Sequence, residues 1–128
     1  MDVADLFAGE SRVTFLDRDF SCIEYNELVK RFDFVIASRY HSIIHAYKNG
    51  VPCIAIGWAV KYNTLLESFG QEQYCFDLRK EVSPAEIIAA MKRMTENRLS
   101  EKERILKTLE LIQKENVFDI ITAGNAVR

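Results

Sequence analysis

Proline and histidine each occur only twice in this 128-residue sequence, cysteine three times and glycine five times. Each scarcity closes off a class of protein. The three cysteines, Cys22, Cys53 and Cys75, show no CxxC spacing, and a disulfide framework is not expected. All three sit in apolar or strand-like sequence, so reduced, buried thiols in a cytosolic protein are expected. No G-x-G-x-x-G occurs, so the dinucleotide fingerprint is missing. The formal charge of −2 shows no excess of one sign, so neither nucleic acid nor an anionic membrane is expected as a partner. No apolar run approaches the roughly 20 residues of a membrane helix. The longest, "VPCIAIGWAV", is interrupted by Pro52 and Gly57. The start, "MDVADLFAGE", is acidic where a secretory leader would be basic. A cytoplasmic protein is expected.

What is present is enough apolar residue, 48%, for one sizeable core, diluted by 28% charge. A single domain over residues 1–128 follows, with 98–128 as its C-terminal helical extension. Strand and helix signals alternate along it. "RVTFLD" (Arg12–Asp17) reads as a strand. Ser21 and Glu24 form a capping-box pattern that opens a helix with Tyr25, Leu28, Val29 and Phe32 on one face. "FDFVIA" (Phe32–Ala37) is a strand apolar enough to be buried on both faces. Ser38 is placed to cap a helix from about Tyr40 to Lys48, stopped by Asn49-Gly50. After Pro52, "CIAIG" is a third strand. A helix then spans about Val60 to Phe69, and "QYCFD" (Gln73–Asp77) is a shorter strand. Ser83/Glu86, with Pro84 at the first helical position, and Ser100/Glu103 repeat the capping-box pattern. Such alternation predicts an α/β fold, a Rossmann-like parallel sheet flanked by helices on both sides.

In such sheets ligands gather beyond the carboxyl ends of the strands. Ser38, Arg39, Tyr40 and His41 fall there, between a buried strand and a buried helix. The first turn of that helix offers unpaired N–H groups and the positive end of its dipole. Arginine adds a bidentate clamp for phosphate or carboxylate, and histidine adds a proton source near neutral pH. The two together make a candidate anion site with an acid. The competing structural reading pairs Arg39 with an acid such as Asp33 and His41 with a core carbonyl. Trp58, Lys61 and Tyr62 follow the next strand and fall on the same sheet edge. There Lys61 offers a second charge and the aromatics a surface for a sugar or base, unless Lys61 is a solvated helix-start lysine. Ser42 and Asn63 are candidates for ligand hydrogen bonds or for helix caps. His41 and His45 share a helix face, but "HSIIH" lacks the glutamate of HExxH and any third ligand, so no metal is expected. The Met91/Met94 pair reads as core filling, and Arg79–Glu81 as a solvated turn.

The stretch "DFVIASRYHSIIHAYKNGVPCIAIGWAVKYNTLLESFG" resembles the polysaccharide pyruvyl transferase family. The resemblance rests on Asp33, Ser38-Arg39-Tyr40-His41, Gly50-Val51-Pro52, Lys61, Leu65-Leu66 and Gly70. It runs from about Phe32 to Asp77 and more loosely from Val13 to Met94. It implies a two-domain GT-B enzyme of which this chain is the C-terminal half. Such enzymes transfer a pyruvyl group from phosphoenolpyruvate to sugar hydroxyls, forming a ketal in cell-wall or exopolysaccharide synthesis. Arg39 and His41 would then bind the phosphoenolpyruvate anion, with His41 as general acid and Ser38, Ser42, Lys61 and Trp58 lining the substrate site. No cofactor beyond the donor substrate is implied. The partners would be a small anionic donor, a sugar acceptor and an N-terminal domain missing from this chain, without which the chain should turn over nothing. Gly57-Trp58-Ala59 departs from the family, which more often places a tyrosine and a nearby acid there. Two alternatives remain open at this level. One is half of a GT-B nucleotide-sugar glycosyltransferase. The other is a non-catalytic interaction domain that forms a homo-oligomer through the C-terminal helices.

Overall fold

In the computed structural model, residues 3–16, 18–58 and 60–127 are described, with side chains for 5–114 of these. The elements run α1 (Val3–Leu6), α2 (Cys22–Val29), β1 (Val35–Ala37), α3 (Tyr40–Lys48), β2 (Cys53–Gly57), α4 (Val60–Ser68), a 3-10 turn (Glu72–Tyr74), β3 (Cys75–Asp77) and α5 (Pro84–Val127). The sheet has three parallel strands in the order β1-β2-β3, with Val35 opposite Cys53 and Ala55 opposite Cys75. A parallel neighbour requires a crossover, and α3 and α4 supply the two crossovers. Right-handed connections in this strand order bring both helices to one face.

Local chemistry sets most of the boundaries. The Ser21 hydroxyl accepts from the Glu24 N–H, and the Glu24 carboxylate accepts from the Ser21 N–H, so the expected capping box is complete. Helix α3 ends as its Asn-Gly suggests. Gly50 takes φ +70°, its N–H donates to the Tyr47 carbonyl, and the Val51 N–H reaches back to Ala46 at 2.8 Å. This Schellman closure is repeated at Gly70. Strand β2 is the most deeply buried, with Cys53, Ile54 and Ala55 fully enclosed. Ile43, Tyr47, Leu66 and Phe69 from the crossover helices belong to the same core, as do Met94 and Ile105 from α5. By alternation, Ile36, Ile54 and Ile56 share the opposite face from Cys53 and Ala55. Ile54 is buried there while Ile36 is 45% exposed, so that face is covered less completely toward β1.

Several expectations need correction. Residues 12–16 of the first expected strand form no strand, and Asp17 lies outside the described residues. β-formers make a strand only where a neighbouring strand takes up their backbone groups, and among the described residues β1 pairs with β2 and no other strand. The second and fourth strands are shorter than expected, at three residues each. Phe32 is exposed rather than core, and so is Met91, whereas Met94 is fully buried. The Ser100/Glu103 pattern starts no helix, because α5 passes through it and the Ser100 hydroxyl donates to the Asn97 carbonyl. Cys22 is exposed, Cys75 is half-buried, and only Cys53 is a fully buried thiol. Burial pushes the Cys53 thiol up to about 12.

Candidate functional site

The carboxyl ends of β1 and β2 carry the residues singled out from sequence. Arg39 is the N-cap of α3, with extended backbone (φ −107°, ψ 135°), and its side chain does not cap. Ser38 therefore sits one residue before the cap it was expected to fill. The Arg39 carbonyl accepts from the Ser42 and Ile43 N–H groups at 3.1 and 3.3 Å, which starts the helix. His41 lies in the first turn. Both Arg39 and His41 are exposed. Among the described residues, neither side chain has a hydrogen-bond or ion-pair partner. The structural reading placed Arg39 on Asp33, but Asp33 instead faces Arg98 at 3.8 Å.

Aromatic contacts tie β1's end to α4. The Tyr62 hydroxyl donates to the Ser38 carbonyl at 3.1 Å. The Tyr40 and Tyr62 rings lie 5.9 Å apart, and the His41 ring meets the Tyr40 ring edge-on at 6.2 Å. The Lys61 ammonium sits 4.7 Å from the Tyr40 ring centre, a cation–π contact. Tyr62 holds this position because Gly57 has no side chain. A Cβ on Gly57 would stand 2.2 Å from two carbons of the Tyr62 ring. Ser38, Tyr40, His41, Lys61 and Tyr62 are thus joined into one cluster. Ser42 is half-buried in the first turn of α3, and Trp58 is 64% exposed. Asn63 donates to Glu67 within its own helix.

His45 faces away from this cluster. Its Nδ1 lies 3.1 Å from the Asn26 side-chain oxygen, and its ring packs edge-on against Tyr25. Among the described residues, no group of three or more His, Cys, Asp or Glu side chains is placed to hold a metal ion.

Beside the cluster lies a cleft of about 530 Å³, which sequence reasoning missed. It opens at the ends of β2 and β3 and is lined by Tyr62, Asn63, Phe76, Asp77, Arg79 and Glu86, among others. Arg79, Lys80 and Glu81 are exposed, as expected of a solvated turn, and they also form part of its wall. Arg79 clasps Asp77 bidentately, at 2.9 Å from Nε to Oδ1 and 2.6 Å from Nη2 to Oδ2. That clasp holds the Asp77 carboxyl at about 2, well below the usual carboxylate range. The signal available in sequence was position: Asp77 ends a strand on the same sheet edge as Arg39.

Comparison with known proteins bears on this edge. Residues 2–59 match the polysaccharide pyruvyl transferase family. The matched stretch contains Ser38, Arg39, His41, Ser42 and Trp58, and stops two residues before Lys61. It starts earlier than the sequence resemblance did and ends sooner. Polysaccharide pyruvyl transferases are transferases; the match covers less than half of this chain and does not assign it to one half of such an enzyme. No curated protein and no solved structure matches the chain. Among the described residues, no helix is long and apolar enough to cross a membrane.

Proposed function

We propose that this chain is the phosphoenolpyruvate-binding, C-terminal half of a GT-B polysaccharide pyruvyl transferase, and that it works in the cytoplasm with a second domain closing over Arg39 and His41. The observation that carries the reading is the exposed, unpartnered pair itself, placed around the first turn of α3 beyond the end of a parallel strand. A guanidinium beside helix N–H groups suits a small dianion or trianion. Lys61, held on the Tyr40 ring, adds positive charge nearby.

The chemistry follows from these roles. His41 gives a proton to the methylene carbon of phosphoenolpyruvate, which becomes a methyl group and leaves an oxocarbenium-like centre at C2. A sugar hydroxyl oxygen bonds to C2 and loses its proton. A second hydroxyl of the same sugar then displaces inorganic phosphate, and the ketal closes. Arg39 and the helix terminus offset the carboxylate and phosphate charge through these steps. No cofactor or metal is needed. Residues 98–128 act as a helical extension of the domain.

Calorimetric titration with phosphoenolpyruvate tests the reading. Wild type should bind, and Arg39→Ala should bind at least about tenfold more weakly, as loss of a charge-assisted bidentate contact requires. His41→Gln should still bind phosphoenolpyruvate yet fail to transfer pyruvyl when supplied with the companion domain. Equal affinity of wild type and Arg39→Ala would remove the anion site.

A further inference from the structure

We infer that the cleft at the ends of β2 and β3 is the subsite for the acceptor, and that it selects an uncharged pyranose over a uronate. The inference rests on the pyruvyl-transfer reading and adds to it a location, a set of residues and a charge preference. Three features carry it.

The first is position. Tyr62 is a wall of the cleft, and its hydroxyl is bonded to the Ser38 carbonyl. One side chain thus reaches from the cleft wall to the residue before Arg39, which puts a sugar in the cleft on the side of the sheet edge that carries the donor residues. The Tyr62 ring cannot swing back over β2's end without losing its seat on Gly57.

The second is lining. Phe76, Val60 and Val82 give apolar surface suited to the C–H face of a pyranose ring. Asn63, Asp77, Arg79 and Glu86 give polar groups for its hydroxyls. The volume is within the range of small-molecule sites.

The third is charge. The wall carries three carboxylates, Asp77, Glu81 and Glu86, against two cations, Arg79 and Lys80. Arg79 and Asp77 cancel each other, and Glu86 accepts the Ser83 N–H at 2.8 Å, which leaves Glu81 and Glu86 against Lys80. An acidic sugar would meet net repulsion here, whereas hydroxyls find acceptors. The anionic donor is turned away on the same ground and kept to the Arg39 side.

The experiment follows the isotope-labelled 128-residue chain by NMR during separate titrations with phosphoenolpyruvate, methyl hexopyranosides and a methyl hexuronide. The variants are Asn63→Trp, which fills the cleft from an exposed position, and Arg39→Ala. Neutral glycosides should shift cleft resonances in wild type and in Arg39→Ala, and should bind at least tenfold more weakly to Asn63→Trp. The hexuronide should bind at least tenfold more weakly than its neutral counterpart. Phosphoenolpyruvate should respond to Arg39→Ala and not to Asn63→Trp. A melting temperature for Asn63→Trp within about 3 °C of wild type excludes unfolding as the cause. No glycoside binding in wild type, unchanged binding in Asn63→Trp, or equal binding of the hexuronide would overturn the inference. Loss of the phosphoenolpyruvate response alone would instead strike the donor reading.

Discussion

Asp77 illustrates how one side chain can organise a site edge without being buried. Its carboxylate takes three bonds from the Arg79 guanidinium, two of them from a shared Nε–H, and one from the Arg79 backbone N–H at 3.0 Å. All favour the charged form, so the folded pKa falls to about 2 from an ordinary 3.8. A depressed folded pKa means that the stabilisation is fully present above the unfolded value and disappears as pH falls through the folded one. Wild type should therefore lose stability relative to Asp77→Asn between about pH 4 and pH 2, by a modest amount because the pair is solvated. Urea denaturation midpoints of both proteins across that window provide the check, and parallel profiles would show that the clasp has no thermodynamic effect. At this same scale the sequence was only partly legible. Arg39 and His41 could be named because a polar pair between two apolar runs stands out. Asp77 and Arg79 could not, because a carboxylate followed two residues later by an arginine looks the same in a solvated turn as in a cleft wall. Cys22 misled for a related reason. Its neighbours Ile23 and Tyr25 are apolar, but it occupies the first helical position, where the chain faces outward.

Among the elements, those closed by local chemistry were the ones readable in advance. The span Tyr40–Lys48 is the one expected, because the Asn-Gly stop and the apolar periodicity act within a few residues. Residues 12–16 of the expected first strand form none because a strand needs a partner that sequence does not supply locally. Ser100 misled because S-x-x-E caps a helix only where the preceding backbone is extended. Between Pro84 and Gly124 the sequence has no proline or glycine to interrupt the helix, and α5 runs through the pattern. The α3 stop itself can be tested. At φ +70°, an L-residue in place of Gly50 is strained, and its Cβ would meet the Leu106 side chain at 2.6 Å. Gly50→Ala should cost about 1–3 kcal/mol, read by chemical denaturation. Pairing it with Leu106→Ala should recover the steric share and leave the backbone share, so additive costs would show that Leu106 does not press on this turn.

Over the whole molecule, the connection between the sheet layer and α5 decides whether the site edge stays in place. Helix α5 reaches the core through Ala90, Met94 and Ile105, and one buried polar contact accompanies them. Gln71, at the turn after α4, is fully enclosed, and its side-chain amide donates to the Glu101 carboxylate on α5. Arg104 adds a bond to the Gly70 carbonyl at 3.3 Å and approaches Glu101 at 3.8 Å. This link fixes α5 against the end of α4, whose opposite end carries Lys61 and Tyr62. Removing Glu101 leaves the enclosed Gln71 amide with only its longer bond to the Gly70 carbonyl at 3.3 Å, which costs more than the net value of the lost bond. Glu101→Leu alone should therefore destabilise the chain by about 2–4 kcal/mol, whereas Gln71→Met with Glu101→Leu should fall well short of that, since no amide is left unpaired. Denaturation of wild type, both single variants and the double variant supplies a complete cycle. A double variant as unstable as Glu101→Leu would mean that apolar packing, and not the amide–carboxylate bond, joins α5 to the sheet layer. In that case the position of Tyr62 and the cleft beside it would depend on the apolar contacts of α5, made by Ala90, Met94 and Ile105 with Leu109 and Ile112 beside them.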